Sequence, residues 1–280
     1  MNALRTGILM SVMTVLLVII GKLLGGNQGA LTALVVAAVM NFLSYWSSDK
    51  IALMRYRAKP ITRDQAPQLY DLVERLARSG DLPMPKLFVI PSQTPNAFAT
   101  GRDPRHAAVA VTEGALGLLN SDELAGVIGH ELAHVKNRDI LVQSIAATMA
   151  GAITMLAFWA RFAAIFGGGR SDERRGAGGL EVLVMAILAP IAATLIQMGI
   201  SRSREYMADA GGAKIAGDPR PLANALVKLS DWAQKRPMNA SPTTAHMFIV
   251  NPLTGGGITS FFSTHPPTEE RVRRLREMRV

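Results

Sequence analysis

Apolar residues along this 280-residue chain gather into four runs separated by polar stretches. Leu4 to Leu24 forms the first, with Arg5 at its start, and gives way to the turn Gly25-Gly26-Asn27-Gln28-Gly29. Ala30 to Trp46 forms the second and ends on Tyr45-Trp46, an aromatic pair suited to a membrane interface. The third covers Leu141 to about Ala160 and the fourth Val182 to about Ile200. A helix needs roughly 20 apolar residues to cross a bilayer, with about 17 as the low end, and each run approaches or reaches that length. No small-residue cleavage site follows the first run and a second run comes at once, which argues against a secretory signal. The pattern predicts transmembrane hairpins over 1–46 and 141–200. Gln143, Ser144, Thr148, Pro190, Thr194 and Gln197 dilute the second pair, so a shallow hairpin or buried core helices stand as its alternative.

The two polar stretches, 47–140 and 201–280, read as halves of one catalytic domain with mixed α+β character. Leu69, Leu72, Val73 and Leu76 recur at helical spacing and predict a helix over Gln65–Ala77. Pro83-Met84-Pro85 introduces the apolar run Lys86–Ile90, closed by Pro91, which has strand length. Ala107–Thr112 and Asn96–Thr100 are further strand candidates, joined as a hairpin by Gly101-Arg102-Asp103-Pro104. Asn120-Ser121-Asp122-Glu123 carries the capping side chain, first-turn acids and reciprocal Glu that open a helix. Later helices are expected over Arg202–Ile215, Pro221–Gln234 and the basic tail Pro267–Val280, with an irregular stretch from Arg236 to Thr264. The expected architecture is a predominantly helical integral membrane protein with four apolar segments and a catalytic domain built around a small β-sheet.

Composition agrees with that picture. Hydrophobic residues make up 49% of the chain and charged ones 18%, the reverse of a disordered sequence. The net charge of +9 is explained by topology, because 12 of the 30 Lys and Arg residues lie in 47–140 and 12 in 201–280. The Gly25–Gly29 turn has none. By the positive-inside rule both polar stretches are cytoplasmic, and no recognition-helix or aromatic signature points to nucleic acid. With no cysteine in the chain, a transition metal must be held by His, Asp or Glu.

The predicted helix after Asn120 contains His130-Glu131-Leu132-Ala133-His134. Residues four apart share a helix face, so both imidazoles reach one ion, and this donor type suits a single Zn²⁺ per chain. Glu131, about 100° around the helix, flanks the metal instead of binding it and can take a proton from water and deliver it to a leaving amine. The third ligand lies elsewhere, among Glu205, Asp209, His246 and His265. Glu205 is favoured because it sits just past the fourth apolar run, as His134 sits just before the third, and a hairpin of those runs brings the two together. Asp209, one turn on, suits an outer role orienting a ligating imidazole, expected to be His130. His106 and His246 are expected to be structural, and Asp139 to serve as a cap at the end of the His-Glu helix.

Four stretches carry a resemblance: Pro95–Gly101, His130–Val135, Ser203–Asp209 and Thr264–Arg271. Together they resemble the HtpX family of bacterial inner-membrane zinc proteases, of the gluzincin type, and the similarity extends over the whole chain. The resemblance implies a zincin-type, cytoplasm-facing endopeptidase that cuts membrane or misfolded proteins in quality control, a function tied to stress response. It also implies that Asn96, Ala97, Phe98 and Ala99 form an edge strand pairing with extended substrate, and that His265 stabilises the developing oxyanion. Two alternatives compete. One is a relative of the prenyl-protein proteases, disfavoured because those enclose their site with more spans. The other is a metal-binding scaffold without turnover, which has no need of Glu131.

Overall fold

The computed structural model describes residues 2–142, 145, 202–236, 248–250 and 266–279. The expected segments 141–160 and 182–200 fall almost wholly outside these residues, as do His246, His265 and most of the stretch expected to be irregular.

Helix α1 (Asn2–Arg55) is helical throughout but is not a straight rod. A straight helix would separate Met10 from Asn41 by about 46 Å, at roughly 1.5 Å per residue. Instead Asn41 Nδ2 donates to Thr14 Oγ1 at 2.9 Å and reaches the Met10 carbonyl at 3.4 Å. The chain reverses at Gly26, whose φ of 60° is costly for any residue with a Cβ. Gly21 and Gly29 meet backbone to backbone beside the turn, with no room for a side chain at either. The two arms are the two expected apolar runs. Among the described residues one stretch, Gly26–Ser47, is long and apolar enough to cross a membrane, and Met10–Ile19 is a shorter apolar stretch. Val12, Val15, Ile19, Leu34, Val35, Val39 and Phe42 are exposed on the hairpin, an arrangement that suits lipid as the surrounding solvent.

Four strands come next: β1 (Lys59–Pro60), β2 (Lys86–Ile90), β3 (Ala97–Thr100) and β4 (Ala108–Thr112). They lie in the order β1-β2-β4-β3, with β2 and β4 parallel and both outer pairs antiparallel. β3 is therefore an edge. The expected hairpin from β3 to β4 is present, and its turn contains a short 3₁₀ segment, Pro104–His106, capped by Asp103. The exposed His106 ring bonds that same aspartate at 2.8 Å, the structural role expected of it.

Helix α2 (Pro67–Ser79), the short α3 (Glu113–Leu118) and α4 (Ser121–Lys136) complete the first half. The capping box opening α4 is formed as expected: Glu123 N–H donates to Asn120 Oδ1 at 2.8 Å, and Asn120 N–H to Glu123 Oε2 at 3.0 Å. The second half supplies α5 (Arg202–Ala216), α6 (Arg220–Lys235) and α7 (Thr268–Glu277). α4 packs against α2, β3, α5 and α6, around Leu72, Val73, Val109, Val127, Ile128, Leu132, Leu222 and Leu226. Each such side chain, fully buried, contributes about 1.5–3 kcal/mol.

The closest approach in this core runs through glycine. A Cβ on Gly126 would lie 2.6 Å from the Leu222 backbone nitrogen, and one on Gly129 2.8 Å from the Gly212 carbonyl. A Cβ on Gly212 would lie 2.5 Å from the His130 backbone nitrogen. Substituting alanine for glycine in a helix ordinarily gains about 0.5–1 kcal/mol, whereas overpacking costs about 1–3 kcal/mol. Gly212→Ala is therefore expected to lower the melting temperature of the full-length protein in detergent by several degrees. Gly117→Ala, with nothing within 4 Å of the added methyl, should leave it unchanged or raise it. Equal shifts in the two variants would show that the crossing has room to spare.

Candidate metal centre and active site

α4 carries His130 and His134 side by side, their rings 4.7 Å apart and perpendicular. α5 crosses over them at Gly212 and presents Glu205 and Asp209, which share a face of that helix. Glu205 Oε2 lies 3.7 Å from His130 Nε2, and Glu205 Oε1 lies 3.5 Å from His134 Nε2. In a tetrahedral zinc site with bonds of about 2.0–2.2 Å, neighbouring ligand atoms are about 3.3–3.6 Å apart. The three donors lie within 4.8 Å of one another and all three residues are buried, so the cage fits a zinc ion. Three protein donors leave one tetrahedral position open, the mark of a catalytic rather than a structural site.

The electrostatics point the same way. Burial alone would lower the pKa of His134, but the Glu205 charge, the bond to Asp139 and the Glu131 charge outweigh it and raise it to about 9. Carboxylates thus outnumber their protein partners around the cage, which attracts a cation.

The outer atoms of both imidazoles are also anchored. His130 Nδ1 lies 2.9 Å from Asp209 Oδ1, although the ring N–H is not aimed squarely at that oxygen. Asp209 is in turn gripped by Arg271, which donates from Nε at 2.9 Å and from Nη2 at 2.7 Å. Burial pushes the Asp209 carboxyl up, and Arg271 overrides this and holds it well below the usual carboxylate range. On the other side His134 Nδ1 lies 3.4 Å from Asp139 Oδ2. Beyond α4, Arg138 takes a left-handed φ of 57°, and Asp139 on the far side of that turn faces the His134 ring.

Asp139 and Arg271 are thus members of the site to which the sequence alone assigns no such part. Asp139 reads there only as a cap. Its signal is a carboxylate five residues after the second histidine of the motif, just past a helix end. Arg271 ends the stretch Thr264–Arg271, where neither spacing nor resemblance gives it a role.

The expected substrate-contacting strand lies beside the cage. Ala99 N–H donates to Glu131 Oε2 at 2.8 Å, so β3 touches the carboxylate of the motif directly. Asn96 is buried and its Oδ1 accepts from Ile249 N–H at 3.2 Å, while Arg271 Nη1 donates to the Ile249 carbonyl at 2.8 Å. Phe98 turns its side chain away, into a cluster with Leu53, Ile90, Ala108 and Ala110, its ring 5.2 Å from that of Tyr56. Its contribution at the edge is main chain only. The expected role of His265 lies outside the described residues.

A helix-borne His-Glu-x-x-His pair, a distant Glu and a β edge beside them define a zinc metallopeptidase. The chain belongs to peptidase family M48, whose family model matches residues 63–279. It is 58% identical over 275 residues to the protease HtpX homolog of Desulfatibacillum aliphaticivorans, covering 98% of this chain and 89% of that one. The protease HtpX homologs of Salinibacter ruber and Thermococcus kodakarensis are 57% identical over 280 residues and 55% over 276. Those alignments cover 99% and 98% of this chain, and 98% and 95% of the relatives. The crystal structure of S. mikatae Ste24p shares the fold, with a TM-score of 0.56 at 20% identity, covering 94% of this chain and 62% of that one. The resemblance to HtpX proteases drawn from four motifs therefore holds, and the chain is a membrane-associated zinc metalloprotease.

Removing each anchor should affect zinc in a graded way. Glu205→Ala is expected to lose most zinc by metal analysis. Asp209→Ala and Asp139→Ala should each weaken it about 10- to 100-fold in competition with a chromophoric chelator. Full zinc occupancy in Glu205→Ala would move the third ligand to another residue.

Proposed function

We propose that this chain is a multi-pass protease of the cell inner membrane that hydrolyses membrane-protein or unfolded polypeptide segments at the cytoplasmic face, in membrane protein quality control. The observation that carries the reading is the position of Glu131. Its carboxylate stands beside a three-donor metal cage and, 2.8 Å away, bonds the main chain of an open β edge. A polypeptide laid along β3 would bring its carbonyl carbon next to both.

Zinc, when bound, supplies Lewis acidity that polarises a scissile carbonyl and makes water more acidic. Glu131 takes a proton from the attacking water and returns it to the departing amine. The Ala99 N–H fixes where that carboxylate points. Asp209 and Asp139 hold the two imidazoles in orientation from behind, and Arg271 keeps Asp209 ionised. His265 is the proposed donor to the developing oxyanion.

The membrane setting is supported by how the catalytic domain is fastened. α1 ends within four residues of β1, the Tyr56 ring packs on Phe98 of β3, and the Arg102 guanidinium lies 4.8 Å from the Trp46 ring centre. The edge strand thus sits at the end of the apolar hairpin, where a segment emerging from the bilayer is in reach. A turnover-free metal scaffold leaves the orientation of Glu131 without a use.

Glu131→Gln is expected to keep its zinc and lower casein or peptide hydrolysis by the detergent-purified protein about 10²- to 10⁴-fold, since the amide cannot accept the proton. Near wild-type activity in that variant would remove Glu131 from the role of base. Orientation is tested separately by thiol labelling in intact cells. Asn27→Cys should react with an impermeant reagent from outside, and Arg78→Cys only after the membrane is opened. The opposite pattern would invert the topology.

A further inference from the structure

The open edge of β3 dictates the direction in which a guest strand binds. Thr112 N–H donates to the Asn96 carbonyl, so residues 96, 98 and 100 face β4 with their main-chain groups. Ala97 and Ala99 turn theirs outward, and the Ala99 N–H is already taken by Glu131. A parallel guest centred on Phe98 needs both the Ala97 carbonyl and the Ala99 N–H. An antiparallel guest centred on Ala97 needs only the N–H and carbonyl of Ala97 itself. While Glu131 holds its bond, the edge accepts the antiparallel guest. Such a guest runs from the Thr100 end towards the Asn96 end. Because Glu131 stands at Ala99, the part passing Asn96 is the C-terminal side of the cut.

That direction leads into a pocket. At about 3.3 Å per residue, a guest residue two places beyond the one opposite Ala97 stands opposite Pro95. There a cavity of about 310 Å³, open mouth included, is lined by Thr94, Pro95, Leu229, Trp232, Phe248 and Val250. Its far wall, residues 248–250, is fixed in place because Ile249 is bonded to the Asn96 side chain and to Arg271. Leu229 and Phe248 are buried, so the lining is preformed and apolar. Arg236, exposed on the rim, lies 5.6 Å from the Trp232 ring centre and brings positive charge to the mouth.

We propose that this pocket receives a substrate side chain from among the first three residues after the cleaved bond, and selects a large apolar residue there while Arg236 disfavours Lys and Arg. The assignment rests on the protease reading and on β3 as the docking edge. Pocket contacts of this kind discriminate by about 10- to 200-fold per methylene-sized difference.

The test is cleavage of a degenerate peptide library by the zinc-loaded, full-length protein in detergent, with the products then sequenced. Leu, Met and Phe should be enriched, and Lys and Arg depleted, at one of the first three positions after the cut. Ala233→Phe, which fills the pocket, should lower the Leu-to-Ala ratio of kcat/KM at that position at least tenfold. Trp232→Ala should broaden the position, and both variants should keep the wild-type preference on the N-terminal side. A flat profile after the cut overturns the assignment, as does an unshifted ratio in both variants at wild-type zinc content; cleavage itself would then leave the protease reading standing. If wild type and Glu131→Gln are equally inert on every peptide, the protease reading fails and the pocket assignment falls with it.

Discussion

The catalytic cage depends on how closely α4 and α5 approach. Two helices carrying ordinary side chains at their contact stay about 8–10 Å apart. Here Gly126 and Gly129 on one helix and Gly212 on the other remove the side chains where the backbones meet, and Ala133 and Ala208 are buried in the same core. Gly212 is three residues from Asp209 and seven from Glu205, so contact residues and site residues share a stripe of α5. Ligand atoms 3.5 and 3.7 Å apart tolerate little outward movement before they can no longer share one ion. Glycine in a helix interior costs about 0.5–1 kcal/mol per residue, a local loss accepted because the pairing it permits is what forms the site. The apolar packing of α4 against α2 and α6 offsets that loss.

The second constraint is charge. Glu131, Asp139, Glu205 and Asp209 are all buried within one small region. An unpaired buried carboxylate is strongly unfavourable, and each of these has a distinct remedy. Asp209 is held by the bidentate grip of Arg271, Asp139 faces His134 with Arg204 at 4.0 Å, and Glu131 accepts the Ala99 N–H. Glu205 faces both imidazoles, an arrangement completed by a dication. A buried ion pair such as Arg271–Asp209 is weak evidence for stability in itself. Its value here is positional, because Arg271 joins α5, the segment 248–250 and α7, three pieces far apart in the chain. The C-terminal helix is thereby coupled to the orientation of His130.

How much of this is legible in the sequence depends on the range over which each signal acts. Lys86–Ile90 is bounded by prolines and appears with the predicted limits; the capping box at Asn120 and Glu123 is a three-residue signal and forms as predicted. The pairing of Glu205 with Asp209 comes from helical spacing alone. β1 has two residues and α3 has six, too few for either periodicity to register. The bond from Asn41 to Thr14 spans 27 residues and needs the reversal at Gly26, of which only the glycine-rich turn is visible in advance. Asp139 reaches His134 because Arg138, an arginine, adopts a left-handed backbone that its type does not announce. The role of Arg271 is hidden for a different reason, since a buried arginine is identified by its partner and that partner lies 62 residues away.

The edge strand shows how one short element serves three masters without conflict. Side chains along a strand alternate between its two faces, while the main-chain groups of successive residues alternate between its two edges. In β3 the Phe98 side chain packs on Tyr56 at the end of the membrane hairpin, while the Phe98 main chain faces β4. Ala97 and Ala99 present only methyl groups to the sheet faces, and their main-chain groups point to the open edge, where Ala99 aims Glu131. The strand is therefore fastened to the membrane through its face and to the sheet through one edge, and neither attachment occupies the other edge. A bulky residue at 97 or 99 would crowd a face already packed against α4, and a proline at 97 would remove the donor a guest strand needs. Small residues at these two positions and an aromatic one between them are what this division of labour requires.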